Sequence, residues 1–422
     1  MNKSNKFTVK GFNVALIPHK SDISFVGIAV KNGSNYETPS QEGFSHFCEH
    51  MFFKGTKNRT YEQLNKEFAL IGANQNAYTD NTFVLYHMTL PKQNVTKSVE
   101  LISDMFFNSV FEPEEIEKEK QVINEEINMY EDNPVYWFYN RVGTEVFNRK
   151  IGHPIIGTNE TVNSVTSSKL KKYLSKTINR NNVMFVVVGD HTKKDIVKVF
   201  SNIFDSENPE SLESIQDGEV NSYNGKMWKS GLDFNSQICI SHPSAMQSMA
   251  QIIYPLFPAG HKYVDTSKIV INSLGGGMYS YMFDKIREKQ GLAYSTGAFR
   301  SEMEYGKLDS LSLYAMLDNK NIQKFYESSD DIIKDIRENG LKQDIFECAK
   351  MDLISTIARK AETSEGLSNY FKSIFSNESK PLDISGRIKK IQKISIKECN
   401  HVFEDIFSQK RIQIYMKTNK SQ

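Results

Sequence analysis

Cysteine is scarce in this 422-residue chain. Its four residues, Cys48, Cys239, Cys348 and Cys399, stand too far apart for a disulfide framework or a thiolate zinc knuckle. Lying mostly in apolar-periodic segments, they are expected as reduced core thiols of a cytoplasmic protein. An excess of charge of one sign is equally lacking. The 52 basic and 51 acidic side chains leave a formal net charge of +1, so no global field argues for nucleic acid or an anionic membrane. No run approaches the ~20 uninterrupted apolar residues of a bilayer-spanning helix. The opening Met1-Asn2-Lys3-Ser4-Asn5-Lys6 has neither the apolar core of a secretory signal nor the Arg-rich amphipathic character of a mitochondrial presequence; a cytoplasmic location is expected.

What is present is the balance of a soluble globular protein, 39% hydrophobic and 24% charged. The length exceeds the roughly 250–300 residues at which one core stops growing, so two domains or more are expected. The chain reads as two related halves. The first opens with strand patterns such as Ser24-Phe25-Val26-Gly27-Ile28-Ala29-Val30. It closes with a helical pattern at Lys169–Leu174 and the apolar strand Val183–Gly189. The second closes likewise, with a helical pattern at His401–Phe407 and a strand at Arg411–Met416. Between them a polar, largely acidic stretch holding Pro209 and Gly218 suits a linker. The expected organisation is a domain over 1–204, a linker over 205–226 and a homologous domain over 227–422. Strands and helices mix without strict βαβ alternation, which predicts an α+β fold with mixed or antiparallel sheets and helices packed on one face. A helix followed by a final strand is common enough that the matching ends leave coincidence open.

The chemistry concentrates at His46-Phe47-Cys48-Glu49-His50, bracketed by Gly43 and Gly55 in a helix-compatible stretch. Residues i and i+4 share a helix face, so both imidazoles can reach one metal ion. Two neutral imidazoles suit zinc, and a carboxylate as third ligand leaves a fourth position for water. Glu49, beside His50, is placed to take a proton from that water. The order His-x-x-Glu-His is the signature of inverted-motif zinc peptidases. Two histidines spaced by four through chance would read the same.

A helix starting near Pro113 and running from about Glu114 to Tyr130 offers the third ligand. With Ile116 at zero and ~100° per residue, Ile116, Val122, Ile123, Ile127, Met129 and Tyr130 fall on one arc, and Glu119 (~300°) and Glu126 (~280°) fall inside it, whereas Glu125 (~180°) does not. Carboxylates on a buried stripe need a proton, a counter-charge or a metal. Glu126 is therefore the better ligand, and Glu119 a partner behind a ligating histidine. The alternative is neutralisation by Lys118 or Lys120 on a solvated helix.

With those residues in place, the chain resembles the pitrilysin and insulin-degrading-enzyme family, in particular its short two-domain branch with mitochondrial processing peptidase and its bacterial homologues. The resemblance spans nearly the whole chain. It rests on Gly43 through Thr56, on Gly72-Ala73-Asn74-Gln75-Asn76-Ala77-Tyr78-Thr79 with Thr82 and Tyr86, on Val122-Ile123-Asn124-Glu125-Glu126-Ile127, on Gly275-Gly276-Gly277-Met278, and on Ile286 through Ser295. It implies a zinc metallopeptidase with one Zn2+ per chain on His46, His50 and Glu126, supported by Glu119. It also implies that Arg287 and Tyr294 stabilise the oxyanion of the tetrahedral intermediate. On the residues alone, Arg287 reads as a solvated helix-face charge and Tyr294 as core. The resemblance further implies that Asn76 and Ala77 lie on a strand that pairs with the substrate backbone, and that Phe53 lines the pocket after the cleaved bond. By themselves these are an ordinary edge strand and a helix-core residue.

The Gly275–Gly277 run has no following Gly-Lys-Ser/Thr and so is no phosphate loop; the resemblance places it at a tight turn before a helix. It is also shorter than the long glycine-rich loop of the processing-peptidase regulatory subunit, which lacks the zinc residues. In this family a two-domain chain is half of a clamshell. Since this one chain carries both the metal set and the Arg287/Tyr294 pair, a homodimer is expected, hydrolysing unfolded peptides inside an enclosed chamber. The rivals are a non-catalytic structural or assembly subunit on the same fold, and a peptidase that needs a separate partner subunit.

Overall fold

The computed structural model describes residues 4–206, 225–376 and 382–418; most of the expected linker, 205–226, lies outside them. Among the described residues, eleven strands form two sheets. The first holds β1 (Asn5–Val9), β2 (Phe12–Pro18), β3 (Ile23–Val30), β4 (Asn74–Thr79), β5 (Val84–Pro91) and β6 (Val183–Gly189), in the order β1-β2-β6-β3-β5-β4. The second holds β7 (Gln237–His242), β8 (Ser248–Leu256), β9 (Ala293–Glu304), β10 (Leu308–Leu317) and β11 (Ile412–Thr418), in the order β7-β11-β8-β10-β9. Setting β1 aside, both sheets read first, last, second, fourth, third. In each, the first and last strands pair parallel and the other neighbours antiparallel. The repeated order, including the insertion of the last strand between the first and second, makes the two halves copies of one α+β design.

The compact units are not contiguous in sequence. One compact unit comprises the described residues of Met1–Asn128, His153–Tyr223 and Arg359–Ile384; the other those of Met129–Gly152, Asn224–Ala358 and Ser385–Gln422. Each unit thus takes in a short helical segment from the opposite half of the chain. This accounts for a departure from the expectation of helices on one sheet face. Strands β3 and β6 are buried along their whole length except at Ile23, so both faces of the first sheet are covered. The helix Val95–Phe107 packs on β3 and β5, and the short helices Ser364–Ser368 and Phe371–Ser376 pack on β2, β3 and β6. Ser364 Oγ donates to the Ile23 carbonyl at 2.7 Å, and Phe371 and Phe375 both stand edge-on to Phe83 with centroids 5.3 Å away. In the second unit Tyr139 meets Phe299, and Trp137 lies against His242, whose Nε2 is 3.0 Å from the Glu131 carbonyl.

The segments that carry the site form for local reasons. Helix α1 (Phe44–Phe52) contains no β-branched residue, begins after Gly43 at φ 87° and is followed by Gly55 at φ 113°. Its apolar side buries Phe44, Phe47, Cys48, Met51 and Phe52, and Phe52 packs among Tyr86, Phe106 and Phe111. Full burial of such a ring contributes about 1.5–3 kcal/mol. Helix α2 (Pro113–Asp132) buries Ile116, Glu119, Ile123 and Ile127, a single face at helical spacing. Val122 and Met129, assigned by angle to the same arc, are instead 50% and 53% exposed: the buried stripe is narrower than the apolar one.

The expectation for the cysteines is corrected in part. Cys48 and Cys399 are buried thiols, but Cys239 on the sheet-edge strand β7 and Cys348 on the outer face of helix Gln343–Lys360 are exposed. Among the described residues no helix is long and apolar enough to cross a membrane.

Candidate metal centre

His46, His50 and Glu126 come together in the first unit, where one ligand atom from each lies within 4.8 Å of the others; among the described residues this is the one such group. Nε2 of His46 and Nε2 of His50 each lie 3.7 Å from the same Glu126 oxygen, Oε2. That is too long for a hydrogen bond. It is close to the roughly 3.3 Å that separates ligand atoms around a tetrahedral zinc ion with ~2.0–2.1 Å bonds. The donor set, two imidazoles and a carboxylate, is one that zinc accepts with a position to spare. Burial, with the His50 ring beside it, holds His46 down at about 3, so its imidazole is neutral at pH 7 and has a lone pair to offer.

The flanking acids divide the work. Glu119, 3% exposed, brings Oε2 within 3.0 Å of His50 Nδ1 and pairs its other oxygen with the Lys54 ammonium. Burial pushes the Glu119 carboxyl up, but the hydrogen bonds and charges of His50 and Lys54 outweigh it and hold the carboxyl below its usual range. Burial likewise pulls His50 down; Glu119 above all, with Glu49 and Glu126, reverses this and leaves its pKa raised. An acceptor on Nδ1 keeps the proton there and turns the Nε2 lone pair towards Glu126. Lys118 and Lys120, the candidates for neutralising the buried stripe, pair instead with Glu115 (2.5 Å) and Glu117 (2.7 Å). Glu125 is exposed, whereas Glu126 is half-buried.

Glu49 takes a hydrogen bond from the Thr79 hydroxyl at 2.5 Å. Its pKa is raised, chiefly by burial and further by Glu126, against the pull of Thr79 and His50. Thr79 closes β4, the edge strand of the first sheet, on which Asn76 points to solvent and Ala77 is half-buried. The Asn76 side chain accepts from the Ala77 N–H at 2.8 Å. Phe53 caps the C-terminus of α1, half-buried.

Arg287 and Tyr294 belong to the second unit. Arg287 lies in a π-type helical turn, Phe283–Lys289, that follows the Gly275–Gly277 run; its guanidinium carbon is 4.5 Å from the Tyr294 ring centre and 4.7 Å from that of Phe283. Tyr294, on β9, is 79% exposed, which removes the reading of it as core.

Three residues escaped the reading of the sequence. Lys54, just beyond the end of α1, pairs with the Glu119 carboxylate behind His50, a partner far away in sequence. Thr79 shares the inward alternation of β4. The third, Glu37, caps α1 from outside the helix and has no local signature at all.

Comparison with known proteins gives the family. Residues 13–159 match the insulinase model (peptidase family M16), and residues 164–353 match the model described as the peptidase M16 inactive domain. The chain is 30% identical over 364 residues to an uncharacterised zinc protease of Rickettsia bellii, covering 85% of this chain and 82% of that one. It is 28% identical to the uncharacterised zinc protease YmxG of Bacillus subtilis, over 80% and 79% of the two chains. The crystal structure of a protease from Helicobacter pylori has the same fold, with a TM-score of 0.86 at 18% identity over 99% of this chain and 100% of that one. The chain belongs to peptidase family M16, the pitrilysin and insulin-degrading-enzyme family.

Proposed function

We propose that the protein is a zinc metalloendopeptidase that hydrolyses unfolded peptides. The observation that carries this is the convergence of two histidine Nε2 atoms on one Glu126 oxygen, with the half-buried Glu49 carboxylate one residue from His50. His46, His50 and Glu126 would hold one zinc ion per chain. A bound zinc ion supplies Lewis acidity and lowers the pKa of water at that position. Glu49 takes the proton of the attacking water and hands it to the leaving amine; its raised pKa suits it to accept. Glu119 holds the proton on His50 Nδ1. Arg287 and Tyr294 donate to the oxyanion, and β4, an edge strand, pairs with an extended peptide at Asn76 and Ala77, with Phe53 beside the residue after the cleaved bond. In this reading the working form is a cytoplasmic homodimer, each zinc site completed by Arg287 and Tyr294 of the other copy.

The test is metal content followed by cleavage of a quenched, unstructured peptide. The wild type is expected to hold about one zinc per chain and to cleave. Glu49→Gln, nearly isosteric, should keep the metal and lose turnover. A wild type that binds zinc but cleaves no peptide would favour the assembly-subunit reading, and substantial activity in Glu49→Gln would refute the role of Glu49.

A further inference from the structure

Helix α1 presents both histidines, yet its own start lacks a capping side chain: Gly43 is the N-cap, and no side chain of the helix returns to the free N–H groups. The cap comes from Glu37, eight residues before Ser45. Glu37 Oε2 accepts from the Gly43 N–H at 2.9 Å and Oε1 from the Ser45 N–H at 2.7 Å. The Ser45 amide is one residue from His46, so the bond holds the backbone immediately before the first candidate ligand. Glu37 Oε2 also lies 3.1 Å from His153 Nε2. Both side chains are out of solvent, 0% and 3% exposed, so neither is available to substrate.

The segment that carries His153 is pressed against the same helix start. A Cβ on Gly43 would come within 2.5 Å of the Ile156 carbonyl oxygen, and one on Gly157 within 2.4 Å of the Glu42 carbonyl oxygen, and both glycines have positive φ. On the opposite side of Ser45, its hydroxyl is 2.7 Å from the Tyr173 hydroxyl, which reaches Asn32 Oδ1 at 3.2 Å. The beginning of α1 is thus held by polar contacts from Glu37, itself held by His153, and from Tyr173, and by backbone packing from 156 and 157. A buried carboxylate needs such satisfied partners to persist: burial pushes the Glu37 carboxyl up, and His153 with the Ser45 and Gly43 amides opposes this only in part.

We propose that Glu37 and His153 are positioning residues of the metal centre: Glu37 grips the Gly43 and Ser45 amides, His153 holds the Glu37 carboxylate in place to do so, and together they set the axial position and rotation of α1, and so the meeting point of His46 and His50. Neither touches a candidate ligand atom. The inference rests on the zinc reading of α1. It follows that disturbing the pair should change how metal is held, and not merely how stable the fold is. In Glu37→Gln the amide NH2 faces one of the two backbone donors it must satisfy, so one anchor is lost. His153→Phe removes the donor that orients the carboxylate, while His153→Gln keeps a side-chain donor.

The experiment measures zinc affinity by chelator competition, the visible absorption of the cobalt(II)-loaded protein, and the melting temperature of the metal-free protein. Glu37→Gln and His153→Phe are expected to weaken zinc binding by about tenfold or more, the scale of losses behind a metal ligand, and to shift the cobalt bands. His153→Gln should recover most of the affinity. Phe200→Leu, a core change on the helix Lys193–Ser206 where Phe200 packs edge-on to Phe185 of β6, serves as a stability control and should leave affinity and bands unchanged at a comparable loss of melting temperature. Should Glu37→Gln not fold, the two His153 variants carry the comparison. Wild-type affinity and unaltered cobalt bands in His153→Phe would overturn the proposal, as would an equal loss of affinity in Phe200→Leu. A wild type that binds no zinc would overturn both this and the metal reading itself.

Discussion

Removing Glu119 separates the support of a ligand from the ligand itself. The carboxylate satisfies two donors in a nearly dry position: His50 Nδ1 at 3.0 Å and the Lys54 ammonium. Glu119→Gln leaves a single acceptor oxygen for both donors, and Glu119→Ala leaves none. Loss of a partner behind a ligating histidine costs 10–100-fold in metal affinity, or about 1.4–2.8 kcal/mol. The expected order of zinc affinity at pH 7.5 is wild type, then Glu119→Gln, then Glu119→Ala, read by competition with a chromophoric chelator. The pH dependence sharpens the test. His50 binds metal only when its Nε2 is free of a proton, so affinity falls as the pH drops through its raised pKa. Glu119 is the largest of the groups that raise it. Without that carboxylate, burial pulls His50 back down, and the fall in affinity should begin at lower pH even though affinity at high pH is weaker. Glu119 itself, held below its usual range, stays ionised through this window and contributes no fall of its own. Affinities within twofold of wild type in both variants, or a fall that moves to higher pH in Glu119→Ala, would refute the assignment.

Glu126→Gln should lose zinc on dialysis while Glu125→Gln stays near one ion per chain, since Glu125 faces solvent; metal analysis decides it. Thr79→Val should retain zinc but move the acid limb of the activity profile to higher pH, because the hydroxyl that lowers the Glu49 pKa is gone and burial is less opposed; an unmoved limb would detach Thr79 from the base. For the homodimer, Glu49→Gln and the double variant Arg287→Ala with Tyr294→Phe should each be nearly inactive alone. After subunit exchange of an equal mixture, about half the dimers are mixed and each has one intact site of two, so activity should return to about a quarter of wild type. Confirmed heterodimers that stay inactive would refute the shared site and leave the metal centre untouched.

Much of the candidate site was legible because helices encode their faces locally. The spacing of His46 and His50, the glycines around α1 and the 3.6-residue period that separates Glu126 from Glu125 all follow from backbone geometry over a few residues. So does the apolar run of β6, read as a strand from its sequence; its burial along the whole length is what the structure adds. Periodicity gave a direction but not a depth: Val122 and Met129 lie on the apolar arc of α2 and still meet solvent, because how far a stripe is covered depends on what packs against it. The same limit put Cys239 and Cys348 in a core they do not enter.

Only the tertiary structure decided which distant groups share a charge or a proton. Glu119 could have been neutralised by Lys118 or Lys120, its neighbours in sequence, but the packing of α2 against α1 gives it Lys54 and His50, from 65 and 69 positions away. Glu37 meets His153 across 116 residues because the fold closes the 153–157 segment onto the start of α1. The exchange of segments 129–152 and 359–384 between the compact units is of the same kind. Local sequence specifies that each segment is helical and amphipathic; which sheet it covers is set by long-range burial, to which no short window of residues has access.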